Sequence, residues 1–475
     1  MSSLPRILLV TLGTALVTAC AVGPNYHRPE ADTGSSFKEL GDWKPSEPAD
    51  TLDRGAWWQI FKDPVLEQLE QQIDVSNQTL KQAVDTYRQA KAMVDQAEAG
   101  FWPSINGTAS YTRQKGSGIA VLPSGAASTL TNTYSAGANA SWTLDVFGQV
   151  RRTVESNFSA AQSAAAAVAG TRLLEQATLA QDYFNLRGQD ELKRILDQTV
   201  DDEQKSLKIT QNQYAVGVAA KADVVTAQTQ LLASQAQQIN AGILRATLEH
   251  AIAVLVGKVP SEFSVAAEPT MPTEVPTVPA GLASTLLERR PDVAEAERKM
   301  QQENALIGVA VSAYFPSLTL AGAGSYQSST LSNLFTASNR VWSFGPELAM
   351  SLFDGGLRRA ETAAARAVYD QSVDSYRQTV LTAFQQVEDD LATLRILEQQ
   401  ATVEDETVKM AKEAERLVLN QYKAGTVPYS SVITAQNTTF SAEQTALTVL
   451  QTRFTTSIAM IEALGGGWST KELPK

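Results

Sequence analysis

The sequence predicts a mainly α-helical protein with membrane β-structure, built from one unit written twice, with four barrel strands per protomer and very long helices. Three observations predict it. Matching segments recur at offsets of 207 to 213 residues. Short stretches of period-two alternation occupy the same place in each copy, and each is followed by a helical run of more than 60 residues.

Composition narrows the function before any element is placed. The 475 residues carry 39 Lys+Arg against 51 Asp+Glu, a net charge of -12, which argues against a nucleic-acid partner. The two histidines, His27 and His250, and the single cysteine, Cys20, leave no His- or Cys-based metal site, no Cys-His nucleophile and no intramolecular disulfide to build. Gly-x4-Gly-Lys-[Ser/Thr], His-Glu-x-x-His and Gly-x-Ser-x-Gly are all absent, so no enzyme is expected.

At the N-terminus, Ile7 to Val17 is an apolar run preceded by Arg6. It is too short to span a bilayer and has the length of a signal-peptide core. The run ends in Val17-Thr18-Ala19-Cys20, which looks like a bacterial lipoprotein cleavage box. Residues 1–19 are therefore expected to be a signal peptide, with Cys20 acylated as the first mature residue. Ala21 after the cysteine points to the outer membrane. Residues 20–61 form an N-terminal extended segment. No later stretch has 18 consecutive apolar residues, so no transmembrane helix is expected.

The first copy covers 62–257 and the second 284–465. Residues 212–228, NQYAVGVAAKADVVTAQ, match 420–436, NQYKAGTVPYSSVITAQ, at eight of seventeen positions. Phe101-Trp102-Pro103-Ser104 matches Tyr314-Phe315-Pro316-Ser317, and Val150-Arg151-Arg152 matches Leu357-Arg358-Arg359. Each copy opens with a helical segment (about 62–100 and 284–314) that stops at the aromatic-Pro-Ser triplet, because proline disfavours helix in the residue before it. Pro291 and Asp292 suit a helix start. Strands are expected at about 103–115 and 132–146, then 316–328 and 340–353. Long helices follow at about 149–212 and 356–421, and shorter ones return at about 222–257 and 430–464. Between the copies, the five prolines of 258–283 mark an extended connector at the equator, and 466–475 form a tail.

The strands carry membrane arithmetic. In 104–114 every even residue is polar, while Ile105, Gly107, Ala109 and Tyr111 take the odd positions. In 133–145 the parity flips, with Tyr134, Ala136, Ala138, Ala140, Trp142 and Leu144 apolar. Leu318, Leu320, Gly322, Gly324 and Tyr326, then Trp342, Phe344 and Leu348, repeat the pattern. About eleven residues with aromatic ends fit a barrel wall, apolar outside and polar within. A soluble sheet with one buried face would alternate equally well. If the sheet lies in lipid, four strands cannot close a barrel, and open edges are not tolerated there. Two chains would supply eight strands and a filled interior; three would supply twelve and a lumen.

A long helix of about 64 residues rises roughly 96 Å, and the shorter helices flanking the connector, about 36 and 31 residues, sum to nearly that length, as if stacked end to end. Narrow stripes such as Val154, Phe158, Ala161, Ala165 and Val168 suit closely packed, coiled-coil-like walls. Trp57 and Trp58 are expected to be packing anchors and His250 to be packed. The Arg151/Arg152 and Arg358/Arg359 pairs would meet lipid phosphates or stay solvated.

Taken together, Cys20-Ala21-Val22-Gly23-Pro24-Asn25-Tyr26-His27-Arg28-Pro29, Trp57-Trp58, Phe61-x-Asp63-Pro64, Leu286-Leu287-Glu288-Arg289-Arg290-Pro291-Asp292, the two Tyr-x-x-Gly turns and Gly465-Gly466-Gly467-Trp468 resemble the outer-membrane efflux proteins, the TolC-like family, in its lipoprotein branch serving RND-type pumps. The resemblance implies a homotrimer in outer-membrane lipid, a twelve-stranded barrel continued by an α-helical periplasmic tunnel. It also implies a periplasmic adaptor and an inner-membrane RND-type pump as partners, with no cofactor beyond the lipid on Cys20. The implied role is a passive conduit for drugs, solvents or metals. A protein-secretion (type I) channel and a trimeric coiled-coil surface protein stand as alternatives. Tyr214 with Gly217, and Tyr422 with Gly425, would be the adaptor-docking tips. In the family, acidic residues six and nine positions after the second glycine ring the periplasmic gate, and a tyrosine three before it helps hold the gate shut. Here those positions are Ser431, Thr434 and Tyr422, while the first copy has Asp223 and Thr226. A gate held by packing and hydrogen bonds around Tyr422, and weakly blocked by cations, is therefore expected.

Overall fold

A computed structural model describes residues 21–29, 37–40, 56–115, 130–268, 270–278 and 289–474. The signal segment, Cys20, Leu286, Leu287 and Glu288 lie outside the described residues. The described chain is mainly helical, with one four-stranded antiparallel sheet. It runs α1 (Pro64–Ser76), α2 (Gln78–Glu98), β1 (Ser104–Lys115), β2 (Leu130–Leu144), α3 (Gln149–Ala215), α4 (Lys221–Leu255), α5 (Pro291–Ser312), β3 (Ser317–Ser328), β4 (Arg340–Ala349), α6 (Leu357–Lys423) and α7 (Tyr429–Ala463). The copies match closely: α3 and α6 have 67 residues each, α4 and α7 have 35 each. A constant shift of 208 residues superposes their numbering, from Gln149 on Leu357 to Leu255 on Ala463.

The chain divides into two compact units, Met1–Pro29, Tyr87–Ser163 and Ala296–Tyr376 in one, Glu30–Thr86, Ala164–Glu295 and Arg377–Lys475 in the other. The first holds the sheet, in the order β1-β2-β3-β4. Its register aligns the alternation of all four strands. Ala138 stands opposite Gly107 and Gly324, and Gly324 opposite Trp342. Trp142 stands opposite Leu320, and Leu318 opposite Leu348. One face is thus apolar on every strand. On the other face Asn106 meets Asn139, Asn139 meets Ala323, and Thr143 meets Thr319. A shift of one residue would mix the two faces.

Residues 21–29 are stitched to this unit. Val22 N–H donates to the Phe147 carbonyl at 3.1 Å, and Asn304 Nδ2 to the Pro24 carbonyl at 3.1 Å. Buried Arg152 binds the Val22 carbonyl, Asn25 Oδ1 at 2.9 Å and Glu155 at 2.7 Å. Arg151 pairs with Asp145 at 3.0 Å, and Arg358 with Asp354 and the Ser351 carbonyl. The expectation of lipid-facing or solvated arginines is corrected for Arg152, which is buried and holds the carbonyls of the N-terminal segment, while Arg151 and Arg358 hold backbone where a strand passes into a helix.

The second unit holds the main core, in which Trp57, Trp58, Tyr183, Phe184, Phe454 and Ile458 are buried together. Asp63 Oδ1 caps α1 by accepting from Val65 and Leu66 N–H, with Pro64 in the first turn. Asn77 then splits α1 from α2. Its Oδ1 accepts Leu80 N–H at 2.8 Å, while Nδ2 donates to Glu175 at 2.7 Å and to the Leu255 carbonyl at 2.9 Å. The second copy makes the same splice with different chemistry. Buried Arg290 donates to the Ala463 carbonyl at 2.9 Å, to Asp292 at 2.6 Å and to Gln386 at 2.8 Å. In both copies the returning helix ends against the start of an outgoing one. His250 corrects an expectation, since it lies exposed on α4.

Candidate functional site

The two helix reversals are built by one device. In the first, Val218 N–H donates to the Gln213 carbonyl at 2.9 Å and Gly217 N–H to the Tyr214 carbonyl at 3.0 Å. In the second, Thr426 N–H donates to Gln421 at 3.0 Å and Gly425 N–H to Tyr422 at 2.9 Å. This paired bonding needs a left-handed residue, and Gly217 and Gly425 supply it at φ 79° and 73°. Side chains beyond the backbone would strain there, whereas both glycines face open space.

The tips diverge in their side chains. Tyr214 is 46% exposed beside exposed Val216 and Val218. Tyr422 is 4% exposed and packs with Tyr429, Val432 and Ala227, its ring 5.3 Å from that of Tyr429. Tyr422 Oη donates to Thr210 Oγ1 at 3.0 Å, and Gln213 Nε2 donates to the Tyr422 carbonyl at 3.2 Å. Burial pushes the Tyr422 hydroxyl up, the Thr210 bond opposing it and Asp223 adding to it. Tyr422 therefore ties α6 to α3, and Tyr214 makes no matching tie.

The remaining expected gate residues stand on the first turns of α4 and α7. Asp223 is half-buried and accepts Ala220 N–H at 3.2 Å, closing the first turn of α4. Ser431 is half-buried in the first turn of α7. Thr226 and Thr434 are exposed, each with its hydroxyl turned back on its own helix, to the Ala222 carbonyl at 2.8 Å and the Ser430 carbonyl at 3.0 Å. Sequence reasoning missed Tyr429, Thr210, Gln213 and the buried polar groups Glu203, Ser206 and Gln436. A signal for Tyr429 was present, since it stands seven residues after Tyr422 where the first copy has Lys221. Among the described residues, no group of three or more His, Cys, Asp or Glu is placed to hold a metal ion.

Residues 69–258 and 282–466 match the outer membrane efflux protein family. The chain is 29% identical over 473 residues to the probable efflux pump outer membrane protein TtgC of Pseudomonas putida, covering 97% of this chain and 96% of that one. It is 28% identical over 471 residues to the probable outer membrane lipoprotein SilC of Salmonella typhimurium, covering 98% and 99%. The solved outer-membrane channel OprN superposes with a TM-score of 0.87 at 27% identity, over 94% of this chain and 100% of that one.

Proposed function

The chain belongs to the outer membrane efflux protein family, and from that premise we propose that it is the homotrimeric exit duct of a tripartite efflux pump. It is an outer-membrane efflux channel. In the proposed assembly three chains share a twelve-stranded barrel and a helical periplasmic tunnel. Cys20 carries the lipid anchor, and a periplasmic adaptor docks on the two tips. An inner-membrane RND-type pump supplies the energy, so the duct itself is passive and not an enzyme. Its cargo is small molecules, a reading supported by relatives named as toluene and cation efflux proteins.

The observation that carries the reading is a mismatch between copies within the helical unit. On α7 the heptad-spaced Ile433, Phe440, Leu447 and Phe454 are partly or fully buried, and Phe454 stacks on Phe184 of α3 at 4.4 Å. The α4 counterparts Val225, Leu232 and Ile239 are exposed. Likewise Ile195 of α3 is buried, whereas Ile396, Val403, Met410 and Leu417 form an exposed heptad stripe on α6. Each copy thus has one half of a seam the chain closes only once. The α6 stripe of one protomer is complementary to the α4 stripe of the next, a head-to-tail contact that forms a ring when its rotation closes. With β1 and β4 as the sheet edges, two chains leave no lumen and three do.

Purified full-length protein in planar bilayers tests this reading. It should form large conductances and restore efflux to a cell lacking its own duct, with export depending on an intact pump and adaptor. Export that persists without any pump would contradict it.

A further inference from the structure

The seam between α3 and α7 changes character along its length. Around Phe184 and Phe454 it is aromatic and dry. Nearer the tip it is polar and incompletely bonded. Glu203 is 1% exposed; its Oε1 accepts from Gln230 Nε2 at 3.1 Å, and Gln230 also donates to Asn437 at 2.9 Å. Glu203 Oε2 is buried with no donor. Gln436 donates through Nε2 to Ser206 Oγ at 3.1 Å, and its Oε1 is buried with no donor. Glu203 and Ser206 are three apart on α3 and share a face, so Glu203 stands about one helical turn from the Ser206 hydroxyl that the Gln436 amide holds. Each of these oxygens is an acceptor left without a donor, and a proton on Glu203 would turn one of them into a donor.

We propose that Glu203 is a proton-operated latch on the periplasmic entrance: protonated, it bonds Gln436 and holds α3 to α7; ionised, it loosens that seam and the entrance opens. This rests on the reading of these turns as the entrance of a duct. The surroundings favour the protonated form. Burial pushes Glu203 up, with the neighbouring polar groups of Ser234 and Gln230 opposing and Glu415 adding. From α7 it faces Tyr429, and from α4 only neutral Gln230 and Ser234. Glu415 on α6 is itself raised by burial, with Asp202 and Glu443 adding. The nearby cations are engaged elsewhere, Lys412 with Glu443 at 2.6 Å, Lys205 with Asp201 and Asp202, Arg416 with Glu413. A raised carboxyl keeps its proton below its folded-state pKa and loses it as pH rises through that value, so the latch releases on the alkaline side.

Full-length protein in planar bilayers, with the periplasmic side stepped from about pH 5 to about pH 8, should show conductance rising several-fold. Glu203→Gln, whose amide supplies the missing donor permanently, should stay at the low level throughout. Glu415→Gln removes a neighbouring charge and should move the response to lower pH. Hydrogen exchange at the 203–212 and 429–437 amides, corrected for the chemical rate, should open with pH in the wild type and not in Glu203→Gln. A steady conductance that ignores pH, or a Glu203→Gln variant that titrates like the wild type, overturns the latch and leaves the channel standing. In that event Gln436 has turned its amide over to donate to an ionised Glu203. Absence of conductance at any pH overturns the channel reading instead, and the exchange measurement then decides the latch alone.

Discussion

Tyr214 and Tyr422 occupy the same place in two copies of one motif, yet one is exposed and the other buried. The motif made the turns legible, because only a left-handed residue permits the paired bonds at Gly217 and Gly425. It could not reveal burial, which Tyr429 decides from the next helix. Glu70 was illegible for a related reason. It falls among Leu66, Leu69 and Ile73 on the buried face of α1, where a lone carboxylate in a sequence reads as solvated. Its two oxygens are buried without partners, and burial holds it well above the usual carboxylate range, with Asp74 adding. A raised carboxyl costs nothing below its unfolded value and destabilises increasingly as pH rises towards its folded value. Glu70→Gln should therefore raise the melting temperature at about pH 8, equivalent to about 1–3 kcal/mol, and leave it unchanged at about pH 4. An equal shift at both would mean that Glu70 is ionised in place. Thr434 is exposed on the first turns of α7, so Thr434→Asp should add one carboxylate per chain at the entrance and sharpen block by divalent or trivalent cations. Strong block in the wild type that this change leaves untouched would contradict the assignment. For Cys20, labelled palmitate should enter the wild type and not Cys20→Ser.

At the scale of elements, alternation and the Phe-Trp-Pro-Ser and Tyr-Phe-Pro-Ser stops announce strands because parity and proline act locally. The splices do not announce themselves. Asn77 breaks a helical run without glycine or proline, and what fixes it is a carbonyl at Leu255, 178 residues away. Asn77→Ala should cost about 1–3 kcal/mol by leaving that carbonyl, Glu175 and Leu80 N–H without their partner, read as a lowered melting temperature. His250 misled because apolar neighbours suggest burial, whereas Ile252 and Ala253 are buried and His250 stands with Val254 on the exposed side of α4. The aligned faces of the sheet make a sharper test. Ala138→Arg, on the apolar face between Gly107 and Gly324, should cost ~2–4 kcal/mol near the bilayer midplane and reduce assembled protein. Asn139→Arg, one residue along on the polar face, should assemble nearly as well as the wild type. Equal losses would mean that the faces are not lipid and lumen.

For the whole molecule, the duplication has a consequence in the 208-residue shift. Gly188 of α3 lies so close to Gln451 of α7 that an added Cβ would strike its side chain. Their counterparts are Ile396 on α6 and Ile243 on α4, both exposed. If the ring repeats between chains the contact made within one, Ile396 of each protomer meets Ile243 of the next. The most direct measurement is disulfide cross-linking of the Ile243→Cys/Ile396→Cys double variant in intact membranes. The account predicts covalent dimers and trimers with nothing larger, and monomers from either single variant. No cross-link, a product that stops at two chains, or a ladder running past three would contradict a duct closed by three copies.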